Sequence, residues 1–284
     1  MRIIPVRSCV RILLAVIACA AAVFARPDDE ALPQPHGSVV VDHSSTDLAA
    51  VPAKWIEAAK DRLVIAYGHT SHGSQLVDGL KGLADWKGDP YTLRGGAQSG
   101  GLDLRDTPFA GAGDLGNPDR TAWVQATRTY LKQHPEVNVV MWSWCGQVSG
   151  SSEADIAGYL ANMDALEKEF PGVRFVYFTG HLDGTGTDGN LNLRNEQIRA
   201  FAKKNGKTLY DFADIESFDP DGNGYLAKKA NDNCDYEGGN WALEWQAANP
   251  GKWYPCSAAH SQPLNGNLKA YAAWHLFARL AGWK

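Results

Sequence analysis

Apolar residues Leu63-Val64-Ile65-Ala66-Tyr67 run up to Gly68 and stop. The polar cluster His69-Thr70-Ser71-His72-Gly73-Ser74 follows, and then apolar positions return at helical spacing in Leu76, Leu80 and Leu83. The pattern predicts a buried parallel strand, a tight turn and a helix. Residues 137–145 and 173–179 read as further buried strands, 208–214 as a fourth, and Val39-Val40-Val41 as a short one. Helices are predicted over 52–60, 121–133, 153–170 and 191–204. The helix over 153–170 gathers Ile156, Tyr159, Leu160, Met163, Leu166 and Phe170 on one face. A terminal helix over 264–283 carries Leu268, Tyr271, Ala272, Leu276 and Leu280. Strand and helix alternate, which predicts an α/β fold with a parallel sheet covered on both faces. Two stretches break the rhythm. Residues 91–118, rich in Gly and Asp, are expected to hold a short second strand and a loop over the central turn. Residues 219–253 form an irregular insertion rich in Asp, Asn, Gly and Trp. No internal repeat is evident, so residues 38–284 read as one domain with an insertion over about 219–256.

The N-terminus changes the picture of where the protein works. Arg2, Arg7 and Arg11 lead into the apolar run 12–24, and Val23-Phe24-Ala25 offers a small-x-small cleavage site, so 1–25 reads as a signal peptide. A Pro-rich linker over 26–37 follows. Val16-Ile17-Ala18-Cys19 offers a competing lipobox with Cys19 as the lipidated residue. The protein is thus expected to be secreted or periplasmic, with no membrane attachment unless Cys19 is lipidated. A formal charge of −5 supplies no basic face for nucleic acid. Cleavage after Ala25 leaves Cys145, Cys234 and Cys256. Cys234 and Cys256 are expected to pair as a disulfide in an oxidising compartment, and Cys145 to be a free thiol rather than a nucleophile.

In a parallel sheet the carboxyl ends of all strands share one edge. That edge would collect Ser71 with His69 and His72, then Cys145-Gly146-Gln147, then His181 with Asp183, and the loop carrying His260. Ser71, His260 and Gln147 supply a hydroxyl, an imidazole and an amide donor, the three parts a serine hydrolase needs. Their order resembles the SGNH (GDSL-type) hydrolases. Gly68-His69-Thr70-Ser71 stands where that family has Gly-Asp-Ser, and Gly146-Gln147 where it has Gly-x-Asn-Asp. The resemblance covers roughly residues 63–283 and implies a flavodoxin-like three-layer fold. It also implies an exported serine esterase that removes acetyl-like groups from carbohydrate, with Ser71 as nucleophile and His260 as base. No cofactor would be required. The family's oxyanion glycine falls within 95–116, among seven glycines. Its usual Asp three residues before the catalytic His is Ser257 here, so the orienting acid would come from elsewhere, such as Asp183 or Asp214.

Two alternatives stand beside this reading. His69, His72, His181 and Cys145 have the chemistry of a zinc site that would support a metal-dependent hydrolase. Trp142, Trp144, Trp241, Trp245 and Trp253 could serve as sugar platforms of a non-catalytic carbohydrate-binding protein. Separately, Asp219, Asp221, Asn223 and Tyr225 match the first half of an EF-hand-type calcium loop, suggesting a structural calcium. The loop lacks the bidentate Glu, since Ala230 stands at position twelve, and Asp232 or Asp235 would have to complete it.

Overall fold

In the computed structural model, which describes residues 32, 38–94 and 100–284, the predicted alternation becomes a six-stranded parallel sheet. The signal segment 1–25, nearly all of the 26–37 linker, and Gly95 and Gly96 lie outside the described residues. Strand β1 (Val39–Val41) is followed by α1 (Ala53–Arg62), β2 (Val64–Gly68), α2 (Ser71–Lys87) and β3 (Asp103–Asp106). Next come α3 (Ala122–Gln133), β4 (Val139–Trp142), α4 (Glu153–Glu169), β5 (Arg174–Phe178), α5 (Asn190–Lys204) and β6 (Thr208–Tyr210). The short α6 (Phe212–Ile215), the hairpin β7 (Asp235–Tyr236) and β8 (Gly239–Asn240), α7 (Trp241–Ala248) and α8 (Pro263–Leu280) complete the chain. Among the described residues no helix is long and apolar enough to cross a membrane.

Strand order across the sheet is β1-β6-β5-β4-β2-β3. Without β1 this is the flavodoxin-like order, with β2 first in the chain and β3 and β4 added on its two sides. The connections after β2 and β4 therefore leave in opposite directions and open a crevice between those strand ends, where such folds bind ligands. On one face α8 packs against α2 and α1, while α3, α4 and α5 follow one another on the other. Strands β2 and β4 are buried at every position, which is why they read as continuous apolar runs.

Three differences from the predicted elements have physical causes. The strand expected over 208–214 ends at Tyr210, because Asp211 caps a short helix by accepting from the Asp214 N–H at 3.2 Å. Asp211 is itself fixed by Arg199, through Nε at 2.6 Å and Nη2 at 2.8 Å. The strand over 137–145 is shorter, and Ser143–Cys145 continue beyond the sheet towards the crevice. The insertion is more ordered than its composition suggests. Asn240 caps α7 at 3.0 Å from the Leu243 N–H, and Asn267 of α8 clamps the Tyr254 backbone with two bonds of 3.0 Å.

Cys234 and Cys256, expected to pair, remain separate thiols here. Cys234 lies against the Ser261 hydroxyl at 3.5 Å, whereas Cys256 faces the Pro263 carbonyl and the Asn267 amide, also at 3.5 Å. Burial pushes the two thiols up to about 12 and about 11 respectively.

The seam between α2 and α8 is set by glycine. A Cβ on Gly79 would lie 2.1 Å from the Gly266 carbonyl oxygen, so the two backbones approach as only glycine allows. In a free helix Gly→Ala stabilises by about 1 kcal/mol. Overpacking against an unyielding backbone costs about 1–3 kcal/mol or more. Gly79→Ala should therefore lower stability by roughly 1 kcal/mol net in urea unfolding, and a rise in stability would contradict this packing.

Candidate active site

The site grows from the end of β2. A Cβ on Gly68 would lie 2.2 Å from the Trp142 ring, so the strand must finish in glycine for β4 to lie beside it. His69 turns away from the crevice: its Nε2 meets Asp106 at 2.7 Å and its Nδ1 the Thr70 carbonyl at 3.1 Å. Thr70 precedes α2 but gives its hydroxyl to the buried Asp114 instead of capping the helix. The first N–H groups of α2, from Ser71 to Gly73, have no acceptor within the helix and make this end electropositive.

His72 is the centre of the site. Its Nδ1 lies 3.2 Å from Cys145 Sγ, and its Nε2 lies 2.9 Å from Asp232 Oδ2. An imidazole donating Nε2–H to the carboxylate leaves Nδ1 as the acceptor facing the thiol. Thiol, base and orienting acid therefore form one line of hydrogen bonds. Cys145 is half-buried, and Ser71 Oγ approaches its sulfur at 3.4 Å. Among the described residues no hydrogen bond joins Ser71 to His260. Burial pulls His72 below the ordinary histidine range, against the opposing pull of Asp232. For Asp232, burial raises the carboxyl, but the bond from His72 and the nearby imidazoles outweigh it and leave it below its usual range.

Two more imidazoles flank His72. His181 stacks on one side with ring centroids 3.6 Å apart and planes 1° from parallel, and His260 lies on the other side at 4.5 Å. His181 donates Nδ1–H to the Leu182 carbonyl at 2.7 Å, and its Nε2 is buried without a partner. The exposed His260 sits at φ +62, a left-handed conformation that tilts its ring over His72.

Beneath the site is a fully buried ion pair, Lys269 of α8 with Glu216, at 2.5 Å. The ammonium also meets Gln75 Oε1 and lies 3.6 Å above the Phe212 ring. Burial draws the lysine below its usual range, with Glu216 opposing. The pair reaches all three imidazoles. Gln75 is on the helix of His72 and donates Nε2–H to the Ala259 carbonyl next to His260, at 2.5 Å. Glu216 accepts the Leu182 N–H at 2.8 Å beside His181.

The remaining expected site residues hold the walls. Gln147 accepts from the Cys145 N–H at 2.9 Å and donates to Asp114 at 3.1 Å, so it shapes the strand end. Gly116 packs against the Gln147 side chain and donates its N–H to Asp114 at 2.8 Å. Gly146 lies beside His181, with an added Cβ 3.8 Å from Nε2. Asp183 ties Ser149 and Thr185, and Asp214 ties His43, so neither orients His260. Asp232, which the sequence offers only as a completing calcium ligand, is the acid that meets His72. Its neighbour Asn231 bridges to Asp183, which brings the insertion over the strand ends.

In the calcium-like loop, Asp219 accepts from the Asp221 N–H at 3.0 Å and from the Asn223 N–H, Asn223 Nδ2 and Tyr225 hydroxyl at 2.9 Å. Asp221 accepts from Trp245 at 3.0 Å. The Asp219 carboxylate is thus met by donors within the loop, and the Asp221 carboxylate by Trp245 of α7. Of the proposed sugar platforms, Trp142, Trp144 and Trp241 are buried in the core and offer no face, whereas Trp245 and Trp253 are half-buried. Compared with protein-family models and with curated proteins, the chain finds no match.

Replacing Lys269 by Met leaves a buried, unpaired carboxylate, at a cost of about 3–5 kcal/mol. An unpaired buried Glu216 takes up a proton more readily, so the deficit relative to the wild type should shrink between pH 7 and pH 5. Urea unfolding at both pH values checks this. A pH-independent deficit would show that the pair's charge is not what the site rests on.

Proposed function

We propose that this chain is an acyl-transfer hydrolase in which Cys145 is the nucleophile, His72 the base and Asp232 the acid that orients it. The observation that carries this reading is the continuous contact from Cys145 Sγ to His72 Nδ1 at 3.2 Å and from His72 Nε2 to Asp232 at 2.9 Å. Neutral His72 takes the thiol proton as sulfur attacks the ester carbonyl. The carbonyl electrons move to oxygen beside the electropositive start of α2. As the tetrahedral intermediate collapses, the C–O bond breaks and the alcohol leaves with the proton from His72. Water, deprotonated by His72, then hydrolyses the thioester and restores the thiol.

The SGNH resemblance favours a second reading, the serine esterase with Ser71 attacking. Supporting it, Ser71 stands in the first turn of α2 at the end of β2 and reaches the same thiol at 3.4 Å. Either nucleophile suits esters on carbohydrate outside the cell, a substrate inferred from the resemblance and from the export signal in residues 1–25. A purely binding role has less support, because three of its five candidate tryptophans are buried.

Turnover of short-chain aryl esters should separate the readings. Cys145→Ala should lose roughly a thousandfold or more, and Ser71→Ala about tenfold or less, since the hydroxyl is not bonded to the base. The reverse order would give the reaction to Ser71.

Rate should rise with pH as His72 loses its proton, through an apparent pKa below the ordinary histidine range, because burial disfavours the imidazolium. Asp232→Asn removes the pull that raises His72. It should shift this rise to still lower pH and lower the plateau by about a hundredfold or more. A profile unmoved by Asp232→Asn would exclude His72 as the base.

A further inference from the structure

The partnerless nitrogen of His181 points to a ligand. Its Nδ1 proton is committed to the Leu182 carbonyl, so Nε2 carries a lone pair, and that atom is buried with no donor facing it. His181 as a whole keeps only 8% of its surface. An unmet acceptor at such depth is costly. One ligand atom each from His181, His72 and Asp232 lie within 4.8 Å of one another. Imidazoles that bind metals through one nitrogen usually donate the other N–H to a carbonyl or carboxylate, as His181 does. Among the described residues the other grouping of this kind, Asp42 with His43 and Asp214, has no such atom. Asp42 accepts from Ser44 at 2.6 Å, and His43 is bonded to Asp214 at 2.5 Å.

We propose that His72, His181 and Asp232 bind one zinc-class divalent ion, and that the ion switches off acyl transfer by taking His72. Two imidazoles and a carboxylate are a donor set suited to zinc and its neighbours. The imidazole planes are parallel, so one ring turns as the ion enters. The switch follows from proton placement. His72 meets Asp232 through Nε2, and an ion bound there displaces the Nε2 proton. The proton left on the neutral ring then sits on Nδ1, the atom facing Cys145. A nitrogen bearing that proton cannot accept another from the thiol, so bound ion and active base exclude each other.

The switch rests on the acyl-transfer reading, whereas the ion site does not, and the test separates them. Zinc chloride is titrated calorimetrically into the exported chain, and aryl-ester turnover is followed against zinc concentration. The wild type should bind one ion per chain at about 10 µM or tighter. His181→Phe and Asp232→Asn should each weaken binding by about a hundredfold, and Cys145→Ala should bind as the wild type does. Should either weakened variant fail a circular-dichroism check of folding, the other decides. Turnover should fall in step with occupancy and return on adding EDTA. No saturable binding below about 100 µM, or full binding by a folded His181→Phe or Asp232→Asn, overturns the site. Turnover that is unchanged or raised at full occupancy overturns the switch. Absence of any Cys145-dependent turnover removes the acyl-transfer reading and the switch together, and calorimetry still decides the ion.

Discussion

A lysine ammonium sealed from solvent must be met by charge and by hydrogen-bond acceptors, and Lys269 is met by Glu216 and Gln75. Desolvating two ions is expensive, so such a pair is weak evidence for stability gained. Its effect here is positional. Through Gln75 it fixes the carbonyl next to His260, and through Glu216 it fixes the amide next to His181. His72 shares its helix with Gln75, three residues away. One buried charge pair thereby joins α8, the β5 loop and the first turn of α2, which come from distant parts of the chain.

The sheet determines what those groups can do. Because β3 and β4 lie on opposite sides of β2, the loops after β2 and β4 part and leave the crevice into which Ser71, His72 and Cys145 project. Helix α2 brings its positive end to the same place. Asp114 holds the floor by bonding Thr70, Gly116 and Gln147. The insertion closes the arrangement from outside by carrying Asp232 to His72. Sheet, helix end and insertion therefore each contribute one part of the chemistry, while the buried pair holds their spacing.

Much of the sheet is legible in the sequence because buried parallel strands leave unbroken apolar runs. The strand at 208–214 was harder to delimit. Phe212, Ala213 and Ile215 continue the apolar pattern, and only the cap at Asp211 turns them into a helix. The gathering of His72, Cys145 and His181 follows from parallel topology alone. The partnership among them does not, since the resemblance points to Ser71 with His260 instead. Asp232 was illegible as an orienting acid because the insertion has no periodicity and its path depends on the Asn231–Asp183 bridge. Lys269 was hidden for a different reason: a lysine in a helical pattern reads as solvent-facing, and α8 is buried on nearly every side. The tryptophans mislead in the same way, since a ring that could stack on a sugar can equally fill a core.

If Cys145 is the nucleophile, its thiol, activated by His72, becomes acylated during turnover. The most direct measurement is rapid acid quenching of the enzyme mixed with an aryl acetate, followed by peptide mapping by mass spectrometry. Acid preserves thioesters and oxygen esters alike, so both candidate nucleophiles remain visible. Acylation of the thiol should add about 42 Da, one acetyl group, to the peptide carrying Cys145, removed by neutral hydroxylamine and absent from His72→Ala. An increment on Ser71, or turnover with no acylated residue at any quench time, would contradict it.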